Sequence, residues 1–127
     1  MDRWTPSELS RIAASDDLYI APLREDRKTH GTPTWIWSVV VAGHLYVRAY
    51  NGKASRWYQA AIQQGGGHIF VAGEKMDVHF VAAHGAIDDE VDAAYRLKYV
   101  KSSYLGSMLS ERVRATTINI LPTRARA

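Results

Sequence analysis

The sequence predicts an α+β domain in which a small, mainly antiparallel curled sheet or barrel carries helices on its ends. Short apolar runs are joined by tight turn signals, which favours hairpins between neighbouring strands. The helical segments do not alternate one for one with those strands, so the pattern is not that of a parallel βαβ fold. A chain of 127 residues, 46% of them hydrophobic, is long enough to bury the core of one domain. We therefore predict a single domain over residues 1–121 and a mobile tail over residues 122–127.

The amino-terminal helix has the clearest boundary signals in the chain. Thr5 is a favourable N-cap, Pro6 suits the first helical position, and Glu8 completes a capping box. Together these residues predict a helix over Pro6–Ala14.

The next segment predicts a strand followed by a hairpin. Residues 18–23 form the strand, and Pro22 restricts it to an edge or an end of the sheet because proline lacks a backbone donor. Residues 34–41 and 45–50 are apolar runs on either side of a short turn that contains Gly43, so we expect them to pair.

A helix and a second hairpin follow. Ser55 as N-cap and the glycines at 65–67 bound a helix over residues 55–64. Two further strands are predicted over residues 68–72 and 75–83, with their turn at Gly73-Glu74.

The last third of the sequence predicts two helical segments and a strand. Residues 88–101 begin with acids and end with lysines, which suits the helix macrodipole. A short helical piece over residues 104–109 and a strand over residues 113–121 complete a prediction of six strands and three helices.

The segment around residues 51–56 is the strongest candidate for a binding site. It places Lys53, Ser55 and Arg56 at the start of a helix, where free backbone N–H groups and nearby cations suit a phosphate. The structural alternative is a solvated turn with an ordinary N-cap.

Tryptophans lie on both sides of this segment. Trp35 and Trp37 are two residues apart on a predicted strand and so share a face, and Trp57 lies on the first turn of the helix. Such a cluster can stack a planar ring, although aromatic residues in a small β-domain are more often part of the core or of an interface.

Composition excludes several classes of function. The chain has no cysteine and its histidines lack the spacing of a zinc site, so we predict no metal. It also has no nucleophile elbow and no P-loop, which argues against a hydrolase of that type and against a P-loop nucleotide site. A net charge of +3 without a dense basic face makes nucleic acid an unexpected partner. Without a secretory signal or an apolar run of about 20 residues, we expect a cytoplasmic protein that does not enter a membrane.

The order strand, strand, basic loop, helix, strand, strand resembles the split β-barrel of the flavin and deazaflavin oxidoreductases, which share the fold of pyridoxamine-phosphate oxidase. The run from Gly52 to Tyr58, with its Trp-Tyr pair, is similar to a loop of the deazaflavin branch. The whole chain also resembles an uncharacterised bacterial family of unknown function in this fold group. Its matching pieces include Trp4-Thr5-Pro6, Leu45-Tyr46-Val47-Arg48 and Asp77-Val78-His79-Phe80.

The resemblance implies a split barrel of about six strands with three or four flanking helices, acting as a homodimer. It also implies FMN or a deazaflavin coenzyme, held by Lys53, Ser55 and Arg56 at its phosphate and by Trp35, Trp37 and Trp57 at its ring. The function expected on this basis is hydride transfer to a small organic molecule. The alternative is a cofactor-free small-molecule-binding protein, or a tailoring enzyme, on the same fold.

Overall fold

The computed structural model describes residues 3–15 and 17–123 and shows an α+β architecture with one barrel-like antiparallel sheet. The helices are α1 (Pro6–Ala14), α2 (Arg56–Gln64), α3 (Asp88–Lys98), α4 (Leu105–Met108) and α5 (Glu111–Arg114), and a 3-10 turn spans Gly52–Ala54. The strands are β1 (Leu18–Pro22), β2 (Thr34–Ile36), β3 (Ser38–Val41), β4 (His44–Val47), β5 (Gly66–Val71), β6 (Glu74–Ala82) and β7 (Ile118–Pro122). The predicted fold class is confirmed, with seven strands in place of six.

The sheet is nearly closed because β2 and β3, which follow each other in the chain, lie at its two ends. The strand order is β2-β1-β5-β6-β7-β4-β3, and every pairing is antiparallel. Ile36 pairs with Leu18 of β1, whereas Ser38 pairs with Val47 of β4. The single strand predicted over residues 34–41 is therefore two strands, since the chain changes its pairing partner at Trp37.

The amino-terminal helix has the predicted bounds and the predicted capping box. The backbone N–H of Glu8 donates to Oγ1 of Thr5 (3.1 Å), and the backbone N–H of Thr5 donates to Oε1 of Glu8 (2.9 Å). Trp4, directly before the cap, is buried, and its Nε1 donates to the carbonyl oxygen of Ile120 (2.8 Å). This hydrogen bond fixes the start of α1 to β7.

Both hairpins turn on an alanine followed by a glycine. Ala42 and Gly43 have φ of 49° and 82°, and Ala72 and Gly73 have φ of 52° and 77°. Two-residue turns with positive φ at both positions match the twist of the paired strands. The second turn therefore lies one residue earlier than the predicted Gly73-Glu74, and β6 begins at Glu74.

The segment before the last strand differs from the prediction. Residues 111–114 form α5, and β7 begins only at Ile118, whereas a continuous strand was predicted over residues 113–121. The hydroxyls of Thr116 and Thr117 donate back to the carbonyl oxygens of Val113 (2.6 Å) and Arg114 (2.7 Å). These local hydrogen bonds provide donors for two carbonyl oxygens at the end of α5, so the chain enters β7 only after Thr117.

Two groups of buried side chains hold the elements together. One lies on the inner face of the sheet beneath α1 and α2, and includes Ile12, Ile20 and Ile69. The other packs α3, α4 and α5 against the opposite face of β3 and β4, through Val39 and Tyr46. The period of two along a strand produces this division, because neighbouring residues point to opposite faces.

The carboxyl-terminal boundary lies later than the predicted start of the tail. Pro122 belongs to β7, and the backbone N–H of Thr123 donates to the carbonyl oxygen of Asp77 (2.9 Å). The remainder of the predicted mobile tail, residues 124–127, lies outside the described residues.

Candidate functional site

A cleft with a volume of about 470 Å³ opens beside the junction of β2 and β3. We call it the aromatic cleft. Its walls come from that junction, from the end of β4 and the segment that follows, from the start of α2, and from the segment that contains α4. The lining residues are Thr34, Trp35, Ile36, Trp37, Arg48, Tyr50, Asn51, Ser55, Trp57, Ser102, Tyr104 and Met108. The cleft exists because the chain changes pairing partner at this point and leaves a gap between the two ends of the sheet.

The three tryptophans that the sequence predicts to form an aromatic cluster all line this cleft. The ring of Trp37 stacks on Tyr99, with 4.0 Å between ring centroids and an interplanar angle of 2°. Tyr99 directly follows α3, so this stacking fixes the orientation of Trp37 against the end of that helix. Trp35 is 48% exposed, and Trp57 is half-buried at the first turn of α2. Indole surface is therefore available from two separate elements.

Two tyrosines extend the aromatic wall. The rings of Tyr50 and Tyr104 meet edge to face, with centroids 5.9 Å apart, and their side chains are 42% and 60% exposed. Edge-to-face contact of this kind is a favourable arrangement for aromatic pairs. Because the two residues are distant in sequence, the pair joins the segment after β4 to the segment before α4 across the cleft.

The residues of the predicted phosphate site are divided between different surroundings. Ser55 lines the aromatic cleft, and its side chain makes no cap hydrogen bond to α2. Lys53 is exposed on the 3-10 turn and does not line the aromatic cleft. Arg56 is exposed at the first residue of α2 and faces a second cavity. The structure thus brings Ser55 to the tryptophans but places the two cations elsewhere.

Arg48 is the charged residue that lines the aromatic cleft, and its side chain is fully buried. Its Nε donates to Oγ1 of Thr117 (2.9 Å), and its Nη1 donates to the carbonyl oxygen of Met108 (3.1 Å). Nη1 also donates to the carboxylate of Asp92, and Nη2 donates to the carbonyl oxygen of Asp88 (3.1 Å). These bonds use four of the five guanidinium N–H groups, and Oδ1 of Asp88 lies 3.9 Å from Nη2. Arg48 therefore acts as a strut beneath the cleft, linking β4 to the segments around it, and its charge is already balanced by acidic side chains.

The surroundings of Arg48 carry further charges and a buried phenol. Asp92 also faces Arg114, with Nε and Oδ2 3.1 Å apart, so its carboxylate lies between two guanidinium groups. Tyr95 is fully buried, with the Arg48 guanidinium 5.5 Å from its ring centroid. Burial raises the pKa of Tyr95 far above its ordinary value, and the opposing effect of the Arg48 charge is smaller. The Tyr95 phenol is therefore protonated at any physiological pH and does not serve as a base.

A second cavity, of about 560 Å³, adjoins the first and shares Thr34 and Trp57 with it. We call it the polar cleft. Its walls are the end of β1 and the loop that follows on one side, and α2 on the other. The remaining lining residues are Pro22, Leu23, Arg24, Glu25, Gly31, Thr32, Arg56, Gln59, Ala60, Gln63 and Gln64. Trp57 therefore forms part of the wall of both clefts.

The sequence model of a bacterial family, described as an uncharacterised protein conserved in bacteria and designated DUF2255, matches residues 8–120. The chain belongs to this family. No curated protein matches the chain. The span matched to DUF2255 contains every residue that lines the aromatic cleft and every residue that lines the polar cleft.

Several lining residues of this DUF2255 protein were not singled out from its sequence. Tyr50, Ser102 and Met108 carry no site signal in the sequence, Asn51 belongs to the candidate segment over residues 51–56 without a role of its own, and Arg48 enters only through the family resemblance. A signal for Arg48 was present, since a charged residue directly after the apolar run Leu45-Tyr46-Val47 is rarely buried without a partner. Its partners follow 40 to 69 residues later and cannot be identified from local spacing.

Two further properties of the DUF2255 chain concern the parts that the structure describes. Residues 3–15 and 17–123 contain no group of three or more histidine, cysteine or acidic side chains placed to hold a metal ion. In the same ranges, no helix has the length and apolar character needed to cross a membrane.

Proposed function

We propose that the aromatic cleft binds the ring of FMN or of a deazaflavin coenzyme, and that the protein is an oxidoreductase acting on a small organic molecule. The observation that carries this proposal is the convergence of Trp35, Trp37 and Trp57 on one cleft. Electron-rich indole rings from two different elements offer flat apolar surface to a planar heteroaromatic ring.

The size and polarity of the cleft support this occupant. Small-molecule sites are typically concave cavities of about 300–1,000 Å³, mostly apolar with a few polar groups that fix orientation. The aromatic cleft, at about 470 Å³, lies in that range. Thr34, Asn51, Ser55 and Ser102 supply neutral hydrogen-bonding groups along its lining. A ring with carbonyl and N–H groups at its edge suits this combination.

When bound, a flavin or deazaflavin supplies the ability to accept or donate a hydride. The residues of the chain contribute binding and exclusion of water. Trp37 is held by its stacking on Tyr99, and Tyr50 and Tyr104 cover the side of the cleft. No acid or base among the chain's own residues is required for hydride transfer itself, which agrees with a cleft lining that holds no carboxylate or histidine.

Replacing Trp57 with alanine is expected to weaken FMN or deazaflavin binding roughly tenfold or more, because stacking on an aromatic side chain contributes about 1–3 kcal/mol. The measurement is a fluorescence and visible-absorbance titration of the purified chain with each cofactor separately. Trp57→Phe should retain most of the affinity, since it keeps an aromatic face.

Leu97→Ala serves as the control for this titration. Leu97 is 83% exposed and lines neither cleft, so its loss should leave the dissociation constant unchanged. Equal affinities for the Trp57→Ala variant and the unmodified protein would contradict the assignment of the ring to the aromatic cleft.

A second candidate function is the binding of a neutral planar molecule without any cofactor. The observation that favours it is the separation of Lys53 and Arg56 from the aromatic cleft, together with the four hydrogen bonds that Arg48 donates to protein groups. A neutral aromatic probe such as 2-naphthol discriminates between the two functions. Binding of this probe, abolished in Trp57→Ala and accompanied by no affinity for either cofactor at about millimolar concentration, would replace the first proposal with this one.

A further inference from the structure

The polar cleft is lined by more charged and amide side chains than the aromatic cleft beside it. Arg24 lies on the loop after β1, and Arg56 lies across the cavity at the first residue of α2. Gln59 and Gln63 are four residues apart on α2, and both line the cavity, so they occupy one face of that helix. Guanidinium and amide N–H groups are donors suited to an oxyanion. Nε2 of Gln59 already donates one hydrogen bond to the carbonyl oxygen of Lys53 (3.0 Å), so the two guanidinium groups and the Gln63 amide are the main donors.

Arg56 is available for such a ligand. Among the residues that the structure describes, its side chain takes part in no hydrogen bond and no ion pair. This differs from Arg48, whose donors are taken by four protein groups. Glu25 lines the same cavity and opposes an anion. With two arginines against this glutamate, the charged lining of the cleft has a net charge of +1.

We propose that the polar cleft binds an oxyanion, a phosphate or a carboxylate, with Arg24 and Arg56 as its cationic partners, and that this group is the tail of the ligand whose ring lies in the aromatic cleft. The second part rests on the proposed function. It follows from the shared wall, because Thr34 and Trp57 line both cavities and one molecule can extend from one into the other. Lys53, which lines neither cavity, has no part in this contact.

The first experiment uses inorganic phosphate alone. The purified chain is titrated at constant ionic strength while the backbone amide signals of residues around the polar cleft are followed by nuclear magnetic resonance. We expect saturable shifts there, and Arg56→Gln should weaken binding about tenfold or more, since hydrogen bonds to charged groups are the stronger class. Glu25→Gln should strengthen binding several-fold by removing the opposing charge.

Lys53→Gln is the matched control, because it removes the same charge three residues away and outside both clefts. Its affinity for phosphate should equal that of the unmodified protein. Equal losses in Lys53→Gln and Arg56→Gln would overturn the proposal by showing a general effect of net charge. Shifts that do not saturate, or that fall away from the polar cleft, would overturn it as well.

The second experiment compares FMN with riboflavin, which has the same ring and no phosphate. We expect FMN to bind about tenfold or more tightly than riboflavin, and Arg56→Gln to reduce only the affinity for FMN. Equal affinities for the two flavins, with phosphate binding retained, would overturn the assignment of the oxyanion to the same molecule. If neither FMN nor a deazaflavin coenzyme binds while the phosphate titration holds, the proposed function fails and the oxyanion site stands.

Discussion

Replacing Arg48 with methionine is expected to lower the free energy of unfolding by about 3–5 kcal/mol, the range typical of breaking a buried ion pair from one side. The side chain of Arg48 is fully buried and donates to two backbone carbonyl oxygens, a hydroxyl and the Asp92 carboxylate. Methionine keeps an unbranched stem but lacks the guanidinium, so the loss reports the acceptors left without donors together with the space that the guanidinium leaves. Arg114 still faces Asp92, which places the expected value toward the lower end of the range.

Chemical denaturation of this variant should be compared with that of Arg11→Met. Arg11 forms an ion pair with Glu74 (3.0 Å), but the two side chains are 46% and 49% exposed. Exposed pairs typically contribute less than about 1 kcal/mol. If the two variants lost equal stability, the burial of Arg48 would have no energetic consequence and its assignment as a strut would be wrong.

A double variant separates the ion pair from the rest of the contacts. In Arg48→Met with Asp92→Leu, the carboxylate that Arg48 Nη1 contacts is removed together with the guanidinium, and the Asp88 carboxylate, whose Oδ1 lies 3.9 Å from Nη2 of Arg48, remains in both the single and the double variant. We expect the double variant to be more stable than the sum of the two single losses predicts, because the two residues share one interaction. The difference measures how strongly Arg48 and Asp92 are coupled.

The sequence predicts the parts of this fold that depend on neighbouring residues. The capping box at Thr5 and Glu8 defines α1 without reference to the rest of the chain. The alternation of apolar and polar residues in β6 likewise identifies its buried positions, such as Val78 and Phe80. Signals of this kind lie within one turn or one strand, so they can be recognised without knowing which distant residues pack against them.

Features that depend on residues far apart in the sequence are harder to predict from the sequence. The run from Thr34 to Val41 looks like one strand because its composition is uniformly β-favouring. The break at Trp37 arises only because Ile36 pairs with β1 and Ser38 with β4. The aromatic cleft lies at this break. Its tryptophans are therefore identifiable from the sequence, while the gap that brings them to one cleft is not.

The predicted grouping of Lys53, Ser55 and Arg56 illustrates a related limit. The three residues lie within four positions of one another, so the sequence predicts one shared site, with a solvated turn as the alternative. In the structure Lys53 belongs to a 3-10 turn and Arg56 to the first turn of α2, so the change of helical geometry between them separates their surroundings. Arg24, the cation that does share a cavity with Arg56, is more than 30 residues away in the sequence.

Replacing Gly67 with alanine is expected to destabilise the protein by about 3 kcal/mol, at the upper end of the usual range for overpacking. A Cβ atom at this position would lie 2.6 Å from the carbonyl oxygen of Ala21, 2.6 Å from Cα of Pro22 and 3.1 Å from the backbone nitrogen of Leu23. All three atoms belong to the main chain of the neighbouring strand and its continuation. No side-chain rotation relieves the clash, so β1 and β5 must move apart.

Gly66→Ala is the matched control for this substitution, because it adds the same methyl group one residue earlier in the same strand. The nearest atoms to a Cβ there are the carbonyl oxygen of Val78 at 3.7 Å and Cδ1 of Leu23 at 3.9 Å, which are ordinary contacts. We expect its free energy of unfolding to change by less than about 1 kcal/mol, as for a surface substitution without strain. Similar losses in both variants would contradict close approach of the strands as the cause, because the loss of glycine's flexibility by itself stabilises the folded state.

The same two variants also test whether the packing of β1 against β5 affects binding in the polar cleft. Pro22 and Leu23 line that cleft and are the residues that a methyl group on Gly67 would displace. At a temperature where Gly67→Ala is still folded, its affinity for phosphate should therefore fall, while Gly66→Ala should bind as the unmodified protein does. A close approach of two strands would then determine the width of a binding cavity. The glycine that permits this approach would be required for binding as well as for stability.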